Sequence, residues 1–146
     1  MSRTEPYMRL VQYYETDRMG IVHHSNYIRW FEEARTDFLR KNGIVYHELE
    51  QDGVMIPVVS VSCKYVSPAR YDDPVRITST VTSYNGVRMT FSYEVRHAET
   101  NALLVTGTSE HCFMDAQRWV PINMKRKQPE QHARMAALLE EAGGMI

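Results

Sequence analysis

Apolar and polar residues follow two different repeats along this chain, and the change from one to the other divides it. Residues 7 to 14 (Tyr-Met-Arg-Leu-Val-Gln-Tyr-Tyr) are rich in aromatic and β-branched types and read as a strand. A loop over residues 15 to 24 follows, with Gly20 inside it. From Asn26 to Asn42 the repeat becomes helical. Tyr27, Phe31, Ala34 and Phe38 recur three or four positions apart, with Ile28, Trp30 and Leu39 widening the apolar stripe. Arg29, Glu32, Glu33, Thr36, Asp37 and Arg40 fill most of the other side. Ser25 is the expected N-cap and Gly43 the expected stop, while Arg40 and Lys41 suit the negative end of the helix dipole. At about 1.5 Å per residue the helix is about 25 Å long, enough to cross a small sheet.

Beyond this helix the repeat is mostly two. Ile44 to Asp52 adds a short helical turn ended by Gly53. Val59, Val61, Cys63 and Tyr65 then alternate with Ser60, Ser62 and Lys64, until Pro68 interrupts the run. Val75, Ile77 and Val81 alternate with Arg76, Thr78, Thr80 and Thr82. The Asn85-Gly86 pair marks a tight turn. After it Val87, Met89, Phe91, Tyr93 and Val95 alternate with Arg88, Thr90, Ser92, Glu94 and Arg96. A last strand runs from Ala102 to Met114, with Gly107 read as a bend or bulge. Pro129 to Ala142 forms a terminal amphipathic helix stopped by Gly143-Gly144. Short connections favour antiparallel neighbours, and a sheet wet on one side needs a cover for the other. The expected fold class is α+β: an antiparallel sheet curled around one long central helix, in a single domain of residues 1–146.

Composition removes whole classes of function. A net charge of -1 provides no general attraction to nucleic acid or to anionic membranes. The two cysteines, Cys63 and Cys112, lack CxxC spacing and lie in apolar runs, so buried free thiols are expected. The N-terminal Met-Ser-Arg-Thr-Glu-Pro carries no apolar stretch of the signal-peptide kind. No segment approaches the roughly 18 apolar residues of a membrane span. A reduced, cytoplasmic protein is expected. G-x-S-x-G, Walker and dinucleotide fingerprints are absent, and without HExxH or a similar ligand spacing no metal is expected.

Candidate chemistry concentrates between residues 13 and 27, Tyr-Tyr-Glu-Thr-Asp-Arg-Met-Gly-Ile-Val-His-His-Ser-Asn-Tyr. On composition alone the commoner reading of Asp17 is an Asx-turn residue, since Thr-Asp before Met-Gly is good turn chemistry. Its place before a helix start argues for more. Unsatisfied N–H groups and the helix dipole favour an ionised carboxylate there, suited to act as a base or nucleophile. The same N–H groups can polarise a carbonyl as an oxyanion hole does. His24 reads either as a helix-entry residue or as a catalytic partner, and Tyr13 either as packing or as a hydroxyl donor. Trp30, Tyr27 and the strand from 56 to 62, with Val59 and Ser60, are candidates for shaping a pocket. Lys125-Arg126-Lys127, Arg70 and Arg88 read as solvated charges or as contacts to ligand phosphates.

The stretch from Tyr13 to Arg35 resembles the signature of hotdog-fold acyl-CoA thioesterases, the 4-hydroxybenzoyl-CoA thioesterase family, and is closest to its branch associated with the Tol-Pal genes. Similarity continues through Tyr65-Val66-Ser67-Pro68-Ala69-Arg70-Tyr71-Asp72-Asp73 to about residue 115. The resemblance implies a hotdog fold and hydrolysis of an acyl-CoA thioester to a free acid and CoA. It makes Asp17 the nucleophile or general base, and the His24 backbone N–H the group that polarises the carbonyl. The His24 and Tyr13 side chains are implicated in the site, with Ser25, Asn26, Tyr27 and Trp30 beside the substrate. Protomers pair edge to edge in that family, so a homodimer assembling into a homotetramer is implied. No cofactor is implied beyond the CoA of the substrate. Two other readings stand beside it: an acyl-CoA-binding regulator without catalysis, and a hotdog dehydratase acting on hydroxyacyl thioesters.

Overall fold

A computed structural model describes residues 5–140. The chain begins with β1 (Tyr7–Leu10) and a single 3₁₀ turn (Tyr13–Glu15), then enters α1 (Ser25–Lys41) and the short α2 (Tyr46–Gln51). The strands β2 (Val54–Met55), β3 (Val58–Tyr65), β4 (Pro74–Tyr84), β5 (Arg88–His97), β6 (Leu103–Cys112) and β7 (Met114–Asp115) follow. A one-turn α3 (Met124–Lys127) and α4 (Pro129–Leu139) complete the described residues. Ala142 and the Gly143-Gly144 stop lie outside them.

Five strands form one antiparallel sheet in the order β1-β4-β5-β6-β3, and β2 pairs with β7 as a separate two-stranded ladder. The first strand is shorter than its composition predicts. Residues 13 to 15 leave the ladder because the Glu15 carboxylate accepts the Gln12 N–H at 2.8 Å and closes a turn.

Helix α1 matches the helical repeat and ends as the sequence implies. Its buried face carries Tyr27, Trp30, Phe31, Ala34 and Phe38. Ile44 N–H donates to Leu39 C=O at 2.9 Å and Gly43 N–H to Arg40 C=O at 3.0 Å. With Gly43 at φ 82° this is a Schellman stop, which a glycine adopts without strain. The Arg134 guanidinium of α4 also donates to Gly43 C=O at 2.6 Å, tying the terminal helix to that end of α1.

The sheet closes on α1 at one very tight point. Phe31 stacks on Tyr93 of β5, with ring centroids 4.4 Å apart, and its ring edge lies over Gly107 of β6. A Cβ at Gly107 would collide with the Phe31 ring and with Ser62 C=O. Gly107 is therefore no bulge. It stays in register, opposite Cys63 and Tyr93, and its bare backbone makes room for the helix.

Alternation holds on β4 and β5, where Val75, Ile77, Val81, Met89, Phe91, Tyr93 and Val95 are buried. It fails on β3. Val59, Val61 and Tyr65 stand 40–48% exposed because β3 is the outer strand of the sheet, which α1 covers only in part. Cys63 and Cys112 are free thiols but only half-buried.

Replacing Gly107 by Ala is expected to destabilise the fold by about 1–3 kcal/mol, the usual cost of overpacking. Urea unfolding should show a lower midpoint with an unchanged slope.

Candidate active site

The segment between β1 and α1 is built around one buried carboxylate. Glu15 is 4% exposed. Its Oε1 accepts Arg9 Nη1 and the Gln12 N–H, both at 2.8 Å, and its Oε2 accepts the Trp30 indole N–H at 2.8 Å. Its backbone C=O accepts His23 N–H at 2.8 Å and Asn26 Nδ2 at 2.9 Å. One residue thus joins β1, its own turn, the returning loop and α1. Arg9 also lies over the Trp30 ring, 4.7 Å from its centroid, and pairs with Glu33 at 3.1 Å. Burial alone would push the Glu15 pKa up, but the hydrogen bonds from Arg9, Trp30 and Gln12 outweigh it and hold the carboxyl below its ordinary value.

Residues 16 to 22 form a tight loop held in place by that anchor. Thr16 and Val22 bridge, Asp17 N–H donates to Ile21 C=O at 2.9 Å, and Gly20 N–H donates to Asp17 C=O at 3.0 Å. Gly20 turns the chain at φ 80°. Asp17 Oδ1 accepts Met19 N–H at 2.8 Å, which is the Asx-turn its composition suggests. Among the described residues Oδ2 has no hydrogen-bond partner. Asp17 therefore shapes its loop with one oxygen and leaves the other free of protein partners among the described residues.

The helix start differs from the expected cap. His24, in αR conformation, holds the N-cap position without a side-chain cap bond, and Ser25 is already the first helical residue. The His23 ring replaces the cap: its Nδ1 accepts Ser25 N–H at 3.2 Å and lies 2.8 Å from the Ser25 hydroxyl. His23 N–H is spent on Glu15, whereas His24 N–H has no acceptor among the described residues. The two imidazoles stack at 4.2 Å, so they do not point apart as adjacent side chains usually do.

Asp17, Ile21, His24, Tyr27, Tyr65 and Pro68 border one cavity of about 280 Å³. Tyr65 donates to His24 C=O at 3.2 Å. Burial and the neighbouring Cys63 push its phenol up to about 12, so it remains a donor at neutral pH. The Tyr27 hydroxyl accepts Ala69 N–H at 3.2 Å, which fixes the opposite wall.

Of the expected site residues, Asp17, His24 and Tyr27 meet at this cavity, and the others lie elsewhere in the protomer. Tyr13 is 76% exposed, its ring edge-on to Tyr71 at 5.6 Å. Asn26 and Trp30 are buried on Glu15, outside the lining of this cavity. Val59 and Ser60 lie on the exposed edge strand, and Ser25 is held by His23. Arg70 is exposed two residues beyond Pro68, Arg88 pairs with Glu110 at 3.1 Å, and Lys125 and Arg126 lie exposed on α3. Sequence reasoning passed over Glu15, and it took Tyr65 as one of a strand's apolar residues. Glu15 and Trp30 are fifteen residues apart, and no short-range repeat links them.

The chain belongs to the thioesterase-like superfamily, whose family model matches residues 11–138. Its architecture is the hotdog fold. Among its relatives it is 33% identical over 122 residues to the putative acyl-CoA thioesterase YneP of Bacillus subtilis (strain 168), covering 84% of this chain and 88% of that one. It is 35% identical over 94 residues to the acyl-CoA thioester hydrolase YbgC of Escherichia coli O157:H7, covering 64% and 69%. The structure superposes on the DHNA-CoA thioesterase of Staphylococcus aureus with a TM-score of 0.90 at 29% identity, covering 97% and 96%.

Glu15→Gln is expected to cost about 3 kcal/mol, because the buried Arg9 loses its buried charged partner and keeps only the partly exposed Glu33. A carboxyl held below its unfolded value stabilises fully above the ordinary carboxylate range and loses that contribution as pH falls through its folded value. The native protein should therefore lose stability on acidification more steeply than Glu15→Gln, as read from urea midpoints against pH.

Proposed function

We propose that this protein hydrolyses an acyl-CoA thioester to a free carboxylic acid and CoA. The reading rests on one observation: Asp17, with an unpartnered carboxylate oxygen, and His24, with an unpartnered backbone N–H at the start of α1, border the same cavity. The thioester carbonyl accepts the His24 N–H, strengthened by the helix dipole. A well-placed donor of this kind contributes about 3–4 kcal/mol to the transition state. The free Asp17 oxygen attacks the carbonyl carbon or deprotonates the water that does. Water supplies the oxygen of the acid, and the thiolate leaves as CoA after protonation. The His24 ring orders that water, while Tyr13, which lies outside this cavity, takes no direct part in it within the protomer. Tyr27 and Tyr65 flank the acyl group.

The pathway needs no metal or separate cofactor. Arg70, Lys125 and Arg126 are the reading's contacts for CoA phosphates, while Arg88 must first give up Glu110. Within the superfamily, Tyr13 and His24 support the branch associated with the Tol-Pal genes. A homodimer formed through β3, assembling into a homotetramer, accounts for the exposed Val58, Val59 and Val61 on an unpaired strand edge. A cytoplasmic setting fits the two free thiols.

Asp17→Asn should lower kcat at least about a hundredfold, the range of a lost general base, with the fold unchanged by circular dichroism. The assay is thiol release from a panel of acyl-CoA thioesters, read with a colorimetric thiol reagent. Near-normal turnover by the variant would sink the assignment. Alkene formation without thiol would indicate a dehydratase, and binding without either product a regulator. Val59→Lys/Val61→Lys should sediment at half the native mass or less, since two charges then face each other across the paired edges.

A further inference from the structure

The hydrogen bonds at the entry to α1 enclose His24 and leave its N–H over. His23 N–H donates to Glu15 C=O at 2.8 Å, and His23 C=O accepts Asn26 N–H at 3.0 Å. Ser25 N–H turns back onto His23 Nδ1 at 3.2 Å, and the Ser25 hydroxyl lies 2.8 Å from the same nitrogen. A backbone amide can only donate, so Nδ1 carries the lone pair and the hydroxyl donates to it as well. The proton of the neutral ring is therefore on Nε2. The two neighbours of His24 are tied to each other across it, while its own N–H has no acceptor among the described residues.

The rest of His24 is held from two sides. Its C=O accepts the Tyr65 hydroxyl at 3.2 Å. Its ring stacks on His23 with centroids 4.2 Å apart and stands edge-on to Tyr65 at 6.1 Å. His23 is exposed and does not line the Asp17 cavity. An exposed ring contributes little to a core, so its effect is exerted through these local contacts. Without an acceptor at Nδ1, Ser25 N–H becomes a second free donor beside His24, and the chain between His23 and Ser25 loses the bond that fixes it. A donor stabilises developing charge best when it is fixed beforehand, and small misplacements cost up to about a hundredfold in rate.

We propose that His23 is a positioning residue for thioester hydrolysis: its Nδ1 holds the Ser25 amide, so that His24 N–H alone is offered to the carbonyl. The role rests on the thioesterase reading. His23 touches neither the cavity nor the reacting atoms and acts through His24. The bond to Ser25 carries the effect, and the stack on His24 is secondary to it.

Two substitutions separate the bond from the stack. Phenylalanine keeps a ring but has no acceptor, whereas asparagine carries Oδ1 as many bonds from the backbone as Nδ1 and is a favoured acceptor at helix starts. In the thiol-release assay on the full chain, His23→Phe should lower kcat about tenfold with KM within about twofold of native. His23→Asn should recover kcat to within about threefold of native. Rates are compared on protein shown to be folded by circular dichroism. Ser25 N–H should exchange with solvent more slowly in the native protein and His23→Asn than in His23→Phe. Imidazole ¹⁵N spectra of the native protein in mildly alkaline buffer do not depend on variant folding, and they should show His23 as the Nε2–H tautomer. Native kcat in His23→Phe, equal loss in His23→Asn, a raised KM at unchanged kcat, or the Nδ1–H tautomer at His23 would each overturn the proposal. Thiol release absent from the native protein itself marks failure of the thioesterase reading and takes the proposal with it. Native release with His23→Phe unaffected marks failure of the proposal alone.

Discussion

The geometry of the candidate site depends on where the Glu15 carboxylate is held. Its two oxygens and its backbone carbonyl receive hydrogen bonds from β1, from the 3₁₀ turn, from the loop's return and from α1. A buried charge is tolerable only when paired and hydrogen-bonded, so the four segments must converge for Glu15 to remain ionised. Trp30 is held by the same carboxylate, and Arg9 covers its ring. The residues on either side of this knot are the accessible ones: Asp17, half-buried on the loop it tethers, and His24, exposed one step beyond the N–H it consumes. A rigid, desolvated anchor next to a partly open carboxylate is the arrangement that preorganised catalysis requires.

The second constraint is the approach of helix to sheet. Phe31 lies against Tyr93 and over Gly107, and no Cβ fits between them. This contact sets how closely α1 lies on β5 and β6, and hence where its N-terminus ends relative to Tyr65 at the end of β3. The cavity under Asp17 is bordered by Tyr65 and Pro68 on one side and by the start of α1 on the other, so its width follows from that packing. The same inner surface carries the Arg35–Tyr93–Ser109–His111 chain, where low dielectric makes satisfied bonds firm.

The sheet's two edges are unlike. β1 ends the sheet with a short strand whose neighbouring segment folds back as a turn, which blunts it against further pairing. β3 is eight residues long, with valines exposed at its start and middle. A long, apolar, unpaired edge is unfavourable in a lone protomer, and the physical solution is to pair it. Tyr65 at one end of β3 borders the Asp17 cavity and Val58 at the other borders the cavity lined by His111. Antiparallel pairing of two such edges would bring the two kinds of cavity near each other.

Local periodicity by itself determined α1 to within a residue, its stop at Gly43, the Asn85-Gly86 turn and the inward faces of β4 and β5. These features depend on neighbours within a few positions, which the sequence records directly. It also singled out Asp17 and His24, because a turn carboxylate before a helix start is a local feature. The tertiary structure decided what depends on distant pairs. It made β3 an exposed edge although its pattern alternates, since strand order and not strand pattern determines which faces α1 covers. It turned Gly107 from an apparent bulge into the floor under Phe31, and gave the cap of α1 to the His23 ring instead of Ser25. It placed Trp30 on the Glu15 carboxylate and Asn26 on the Glu15 backbone carbonyl, because buried acceptors take whatever donors the fold brings within reach. The residues that border the Asp17 cavity from its loop and helix start were legible because they are close in the chain; what holds them in place was not, because its parts are far apart in sequence and meet only when the chain folds.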